Sequence, residues 1–152
     1  MIRFWLFLHL LGFTMWLGGG LASMVAGIAA KREDRGGLGA VVRAQSSLLR
    51  VIVAPGALLT VLSGLILTFD VSGRSGELVG FSFWLMLMQG TGIIAALITL
   101  LVTLPTAGKL ARLDPTGPYS AHFDELRLRQ RLAASISGTL GLVALVAGAM
   151  VR

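Results

Sequence analysis

WLFLHLLGFTMWLGGGLASMVAG, residues 5–27, decides how this chain folds. It holds no Asp, Glu, Lys or Arg, and spanning a hydrocarbon core of about 30 Å takes about 20 such residues. One histidine, His9, interrupts it. At about 100° of helical rotation per residue, Trp5, His9, Gly12, Trp16, Gly19, Gly20, Ser23 and Gly27 share one side, and Phe7, Leu10, Leu11, Leu21, Val25 and Ile28 share the other. Small residues on an apolar helix let a second backbone come close, so His9 and Trp16 are expected to project into a packed bundle and not into lipid. The apolar run over residues 4–30 far exceeds the roughly 7–15 residues of a signal-peptide core and is read as a retained span.

Three further segments repeat this character, at 51–69, 78–104 and 132–151, and none contains a charged side chain. The whole chain is 55% hydrophobic and 13% charged, against roughly 25% charged in soluble domains. The expectation is an all-α, four-transmembrane-helix bundle. Its helices fall at about 4–30, 49–69, 79–104 and 129–151, in one domain covering 1–152. Cysteine is absent, which excludes disulfides, thiolate chemistry and Cys-ligated metal.

The net charge of +6 lies in the loops. Lys31, Arg32, Arg35, Arg43, Arg50, Lys109, Arg112, Arg127, Arg129 and Arg131 flank one end of the helices, and only Arg3, Arg74 and Arg152 flank the other. By the positive-inside rule the first set faces the cytoplasm and both termini are extracytoplasmic, which suits a multi-pass protein of the bacterial inner membrane. No aromatic interleaving accompanies these cations, so the expected partners are the lipid bilayer and a homo-oligomer or larger membrane complex, not nucleic acid.

No nucleophile–base pair, phosphate loop, dinucleotide fingerprint or carboxylate dyad is present, and no catalytic residue is assigned. The intramembrane imidazole remains. His9 lies about 8 Å below its end of helix 1, and neutral imidazole ligates iron and copper readily. Met86 and Met88 enter helix 3 at a similar depth, so a His9/Met88 axial pair on a haem is conceivable. The residues alone leave His9 open between ligation and structural hydrogen bonding.

In helix 2, Pro55 is expected to kink the chain, and Gly56, Thr60, Ser63 and Leu67 share a face with Gly64 at its margin. Helix 3 places Ser82, Leu85, Gln89, Gly92, Ala96, Thr99 and Thr103 on one side. Gln89 needs interior partners, because an unpaired buried amide costs about 1–3 kcal/mol. In helix 4, Ser137, Gly141, Ala144 and Gly148 align. His122, among Asp124, Glu125 and Arg127, reads as solvated.

HLLGFTMWLGGGL in helix 1, the Arg50, Pro55, Thr60 and Gly64 pattern in helix 2, and Trp84 opening helix 3 together resemble the superfamily of CopD-type copper-resistance proteins and HemJ-type protoporphyrinogen oxidases. The resemblance covers about the first hundred residues and looks closest to the uncharacterised members. It implies a helical inner-membrane bundle and, through the HemJ-type members, haem b held by the helix 1 histidine, here His9, which is also the candidate metal ligand. Trp16, Met88, Gln89 and Arg50 join it as cofactor-binding candidates. Both families carry a lysine in helix 3. At the HemJ spacing after Trp84 this chain has Met88, so protoporphyrinogen oxidation and copper import lose that group's support. Three readings result: haem b binding for redox or haem handling, a non-catalytic accessory subunit of a membrane complex, and copper handling through His9 with Met15, Met86 or Met88.

Overall fold

In the computed structural model the described residues are 1–75 and 83–151, the side chains of 71–75 excepted. Helix α1 covers Ile2–Ala29 and ends in a 3-10 turn, Ala30–Arg32; α2 is Arg35–Leu48 and α3 Ala54–Ser75, joined by a π-helical turn, Leu49–Val53. Helix α4, Phe83–Ile98, leads through a second π turn, Thr99–Thr103, into α5, Leu104–Leu110, and α6 is Ser120–Met150. No strand occurs among the described residues. Four helical stretches, Ile2–Arg32, Arg35–Asp70, Phe83–Leu110 and Ser120–Met150, are long and apolar enough to cross a membrane. The chain is an all-helical, multi-pass membrane protein.

The two faces of α1 behave as their composition demands. Gly12, Trp16 and Gly19 are buried, His9, Gly20, Ser23 and Gly27 half-buried, and Phe7, Leu10, Leu11, Leu21, Val25 and Ile28 exposed. The buried stripe lies on α3. A Cβ on Gly12 would sit 2.8 Å from the Thr60 backbone nitrogen, and one on Gly56 would sit 2.7 Å from that of Trp16, so the two backbones touch where both lack side chains. Helix α6 pairs in the same extensive way with α4, whereas the seams between the two pairs, α1 on α6 and α3 on α4, are much smaller.

Pro55 and Pro105 shape the middle of the bundle identically. Each follows a π turn: the Ala54 N–H bonds the Leu49 carbonyl and the Leu104 N–H bonds the Thr99 carbonyl, five residues back in both cases. A proline inside an α-helix loses a hydrogen bond and drives its ring into the preceding turn, at about 3 kcal/mol or more. Widening that turn by one residue removes the clash without ending the helix. The kink expected at Pro55 therefore takes the form of a π bulge. The bulges meet Trp16 in the central core, where Leu49, Val53, Ala57, Ala95, Ala96 and Ala107 are also buried.

A second core forms at the charged end, from Val42, Leu110, Phe123 and Leu126. Helix α2 buries Leu38, Val42 and Ser46 along one stripe, so it closes the bundle from below. Burial of Phe123, at 0% exposure, explains why helix 4 starts at Ser120 and not near residue 129. Likewise α3 runs on to Ser75, beyond the expected end at 69, and the helix 3 start at 79 and Ser82 lie outside the described residues. Asp34 caps α2 by accepting from the Gly37 N–H at 2.8 Å, a bond whose loss typically costs about 1 kcal/mol. The turn at Asp114 is closed by the Thr116 backbone N–H at 2.9 Å and hydroxyl at 2.7 Å. These two bonds hold the Asp114 carboxyl below the ordinary carboxylate range. A depressed folded pKa means that the turn's contribution is complete above the unfolded value and is lost as pH falls through the folded one.

Candidate functional site

His9 lies on the seam between α1 and α3. Its Nδ1 is 2.8 Å from the Thr60 carbonyl oxygen and 3.3 Å from Ser63 Oγ. A carbonyl can only accept, so Nδ1 carries the proton and, in the neutral ring, Nε2 carries the lone pair. Gly64 makes room for the ring: a Cβ there would stand 3.0 Å from His9 Cε1. Sequence position explains the arrangement. Thr60, Ser63 and Gly64 occupy one face of α3, and the Ser63 hydroxyl bonds back to the Leu59 carbonyl and lies 3.2 Å from the Thr60 carbonyl, so that carbonyl is shared between its own helix and the imidazole.

The other candidate residues are distributed along the bundle. Gln89 donates to Thr68 Oγ1 at 2.7 Å, and Thr68 Oγ1 donates to the Gly64 carbonyl at 2.9 Å. Gln89 thus acts as a bridge from α4 to α3, one turn from the imidazole. Met88 packs toward α6, its sulfur 3.0 Å from where a Gly148 Cβ would lie; it is turned to a different helix from the one His9 contacts. Arg50 is exposed at the charged end, with its guanidinium near Gly108. Arg3 and Trp84 are exposed and Trp5 is half-buried, and the side chain of Arg74 lies outside the described residues.

Trp16 stands two turns, about 10 Å, along α1 from His9. Its indole N–H donates to Thr99 Oγ1 at 3.2 Å, Thr99 Oγ1 and Ser137 Oγ are 2.6 Å apart, and Ser137 Oγ donates to the Ala95 carbonyl at 3.0 Å. The Thr99 hydroxyl also lies 2.9 Å from the Ala95 carbonyl, so Trp16, Thr99, Ser137 and that carbonyl form one polar cluster in which every group has a partner. Thr99 and Ser137 are predictable as inward-facing from their helical phase. Their pairing with Trp16 depends on how the two helix pairs dock, and no local pattern encodes that.

His122 Nδ1 lies 3.4 Å from Glu125 on an exposed surface, in keeping with a solvated role. Among the described residues no three His, Asp or Glu side chains come together as a metal-binding group. Met86 is 55% exposed, and Met88 faces Gly148. No family model, curated protein or solved structure matches this chain.

Proposed function

We propose that this is a small integral membrane protein of the bacterial inner membrane, its termini extracytoplasmic, that holds haem b on His9 Nε2 for redox or haem handling. The supporting observation is the 2.8 Å contact of Nδ1 with the Thr60 carbonyl. Metal-bound histidines characteristically donate their second ring N–H to a carbonyl or carboxylate, which selects the tautomer and orients the ligating nitrogen. His9 is also the only titratable side chain in residues 4–30, where an ionisable group is costly unless it has a use.

His9 Nε2 would be the group that holds the haem. Haem would supply one-electron chemistry there. Met88, held at the Gly148 seam, does not stand beside His9 as a second ligand. Neither the groove between α1 and α6 nor the shallow pocket between α2 and residues 111–115 is lined by His9.

The same bond also favours a second reading, an accessory subunit in which His9 is a strut between α1 and α3. Absorption spectra separate the two. Protein expressed with ample haem, and then titrated with haem, is expected to show a Soret band that His9→Ala abolishes. A colourless preparation after titration refutes haem binding, and a band untouched by His9→Ala refutes the ligand assignment. In the strut reading, His9→Ala instead lowers thermal stability by about 1 kcal/mol, the scale of interhelical hydrogen bonds in membranes.

A further inference from the structure

A groove runs between α1 and α6, lined also by Leu49, Val53, Thr99 and Thr103, with a volume of about 470 Å³, a size typical of small-molecule sites at about 300–1,000 Å³. From Leu17 to Lys31 it extends about 21 Å along α1, more than the roughly 15 Å of hydrocarbon in one leaflet. Leu21, Met24, Ile28 and Leu142 line its walls. Gly20 and Gly138 face each other's helix across it, and a Cβ on either would meet nothing within 4 Å. Glycine is thus not required there for helix packing, as it is at Gly12 and Gly56. It keeps the groove open.

The end of the groove near the charged loops has a different chemistry. Lys31, Arg127 and Arg131 line it, and no carboxylate does among the described residues. On α6, Asp124 pairs with Arg35 at 3.1 Å, and its charge is also felt by Arg127. Gln45 is turned away from ligand duty as well, donating to the Ser23 carbonyl at 2.6 Å. An apolar slot as deep as a leaflet, ending in three cations at headgroup level, is complementary to one kind of molecule.

We infer that the α1–α6 groove binds an anionic phospholipid, with an acyl chain along Gly20 and Gly138 and the phosphate at Lys31, Arg127 and Arg131. A second copy of the chain is a poorer occupant. Two-fold pairing on this face would place two sets of three cations at the same level, where like charges repel. A free phosphate would use the cations and leave the apolar slot unfilled. Basic clusters at the membrane surface attract acidic headgroups, and here the slot adds selectivity for the chain attached to the headgroup.

Tryptophan quenching tests this directly, because Trp16 lines the groove. In a Trp5→Phe/Trp84→Phe background, the protein is reconstituted into phosphatidylcholine vesicles holding a minor share of phosphatidylglycerol. Bromine is placed on the acyl chains of the phosphatidylglycerol in one arm, and on an equal share of the phosphatidylcholine in the other. Quenching is expected to be about threefold greater in the first arm. Arg127→Gln/Arg131→Gln should make the arms equal. Gly138→Leu, which has open space and keeps all cations, should reduce quenching in both, and added inorganic phosphate should leave the ratio unchanged. Equal quenching by the two lipids in the parent chain overturns the inference, as does insensitivity to Gly138→Leu. A dimer that Gly138→Leu dissociates, without lipid preference, assigns the groove to a second copy and overturns it too.

Discussion

Gly56→Val is expected to break the contact between α1 and α3 and lower the thermal midpoint by about 6–12 °C, the shift that about 3 kcal/mol produces in a chain of this size. A Cβ at position 56 would stand 2.7 Å from the Trp16 backbone nitrogen, 2.8 Å from the Gly12 carbonyl and 2.9 Å from Met15 Cβ. Two of the three obstacles are backbone, so no rotamer change relieves them. Nor can α1 simply retreat. On one side of the contact His9 is tied to the Thr60 carbonyl, and on the other a Cβ on Gly19 would already press on Val53 Cγ2 at 2.7 Å. The natural control is Gly90→Ala, where an added Cβ meets nothing within 4 Å and alanine's better helix propensity favours the folded state. Circular dichroism melting in detergent checks both. A Gly56→Val protein with the parent's midpoint would show that the helices do not meet there.

The second large effect belongs to Trp16. Trp16→Ala removes a side chain only 6% exposed from the central core that spans one, two and three share. Large-to-small changes of this kind cost about 3–5 kcal/mol in well-packed interiors. Trp16→Phe keeps much of the volume and deletes the indole N–H, leaving Thr99 and Ser137 bonded to each other and to Ala95. Its cost is expected to be about 1 kcal/mol, the scale of a single interhelical bond. The difference between the two variants, read as detergent-induced unfolding midpoints, separates packing from hydrogen bonding. Similar losses for both would mean that the hydrogen-bond chain, and not the ring, carries the stability.

Much of this architecture is legible in the sequence. The face of α1 holding His9, Gly12, Trp16 and Gly19 could be drawn from helical phase, because in lipid the distinction between small and bulky residues replaces that between polar and apolar. Gln89 was recognisable as a group needing a partner, but Thr68 as that partner was not, since the register of α4 against α3 is set by packing elsewhere. Spans two and three are consecutive in the chain, yet their mutual seam is small. Instead each packs chiefly against its other sequence neighbour, α3 on α1 and α4 on α6, because the glycine contacts and the Met88–Gly148 seam lie on those faces. Helix α2 lies outside the four expected spans. Its burial of Val42 beside Leu110 and Phe123 involves residues more than sixty positions apart, a distance over which periodicity carries no signal.

By itself the sequence determined that four apolar helices cross a membrane, which side of each turns inward, and that one imidazole lies among them. These follow from side-chain volume and charge repeating at the helical period, which are local properties. Only the tertiary structure decided that the Thr60 carbonyl accepts the His9 Nδ1–H hydrogen bond, that Met88 turns to Gly148, and that an open groove ends in Lys31, Arg127 and Arg131. Each of these depends on the rotation and height of one helix against another. That relation is fixed by the sum of many small contacts, of which no single stretch of sequence holds more than half.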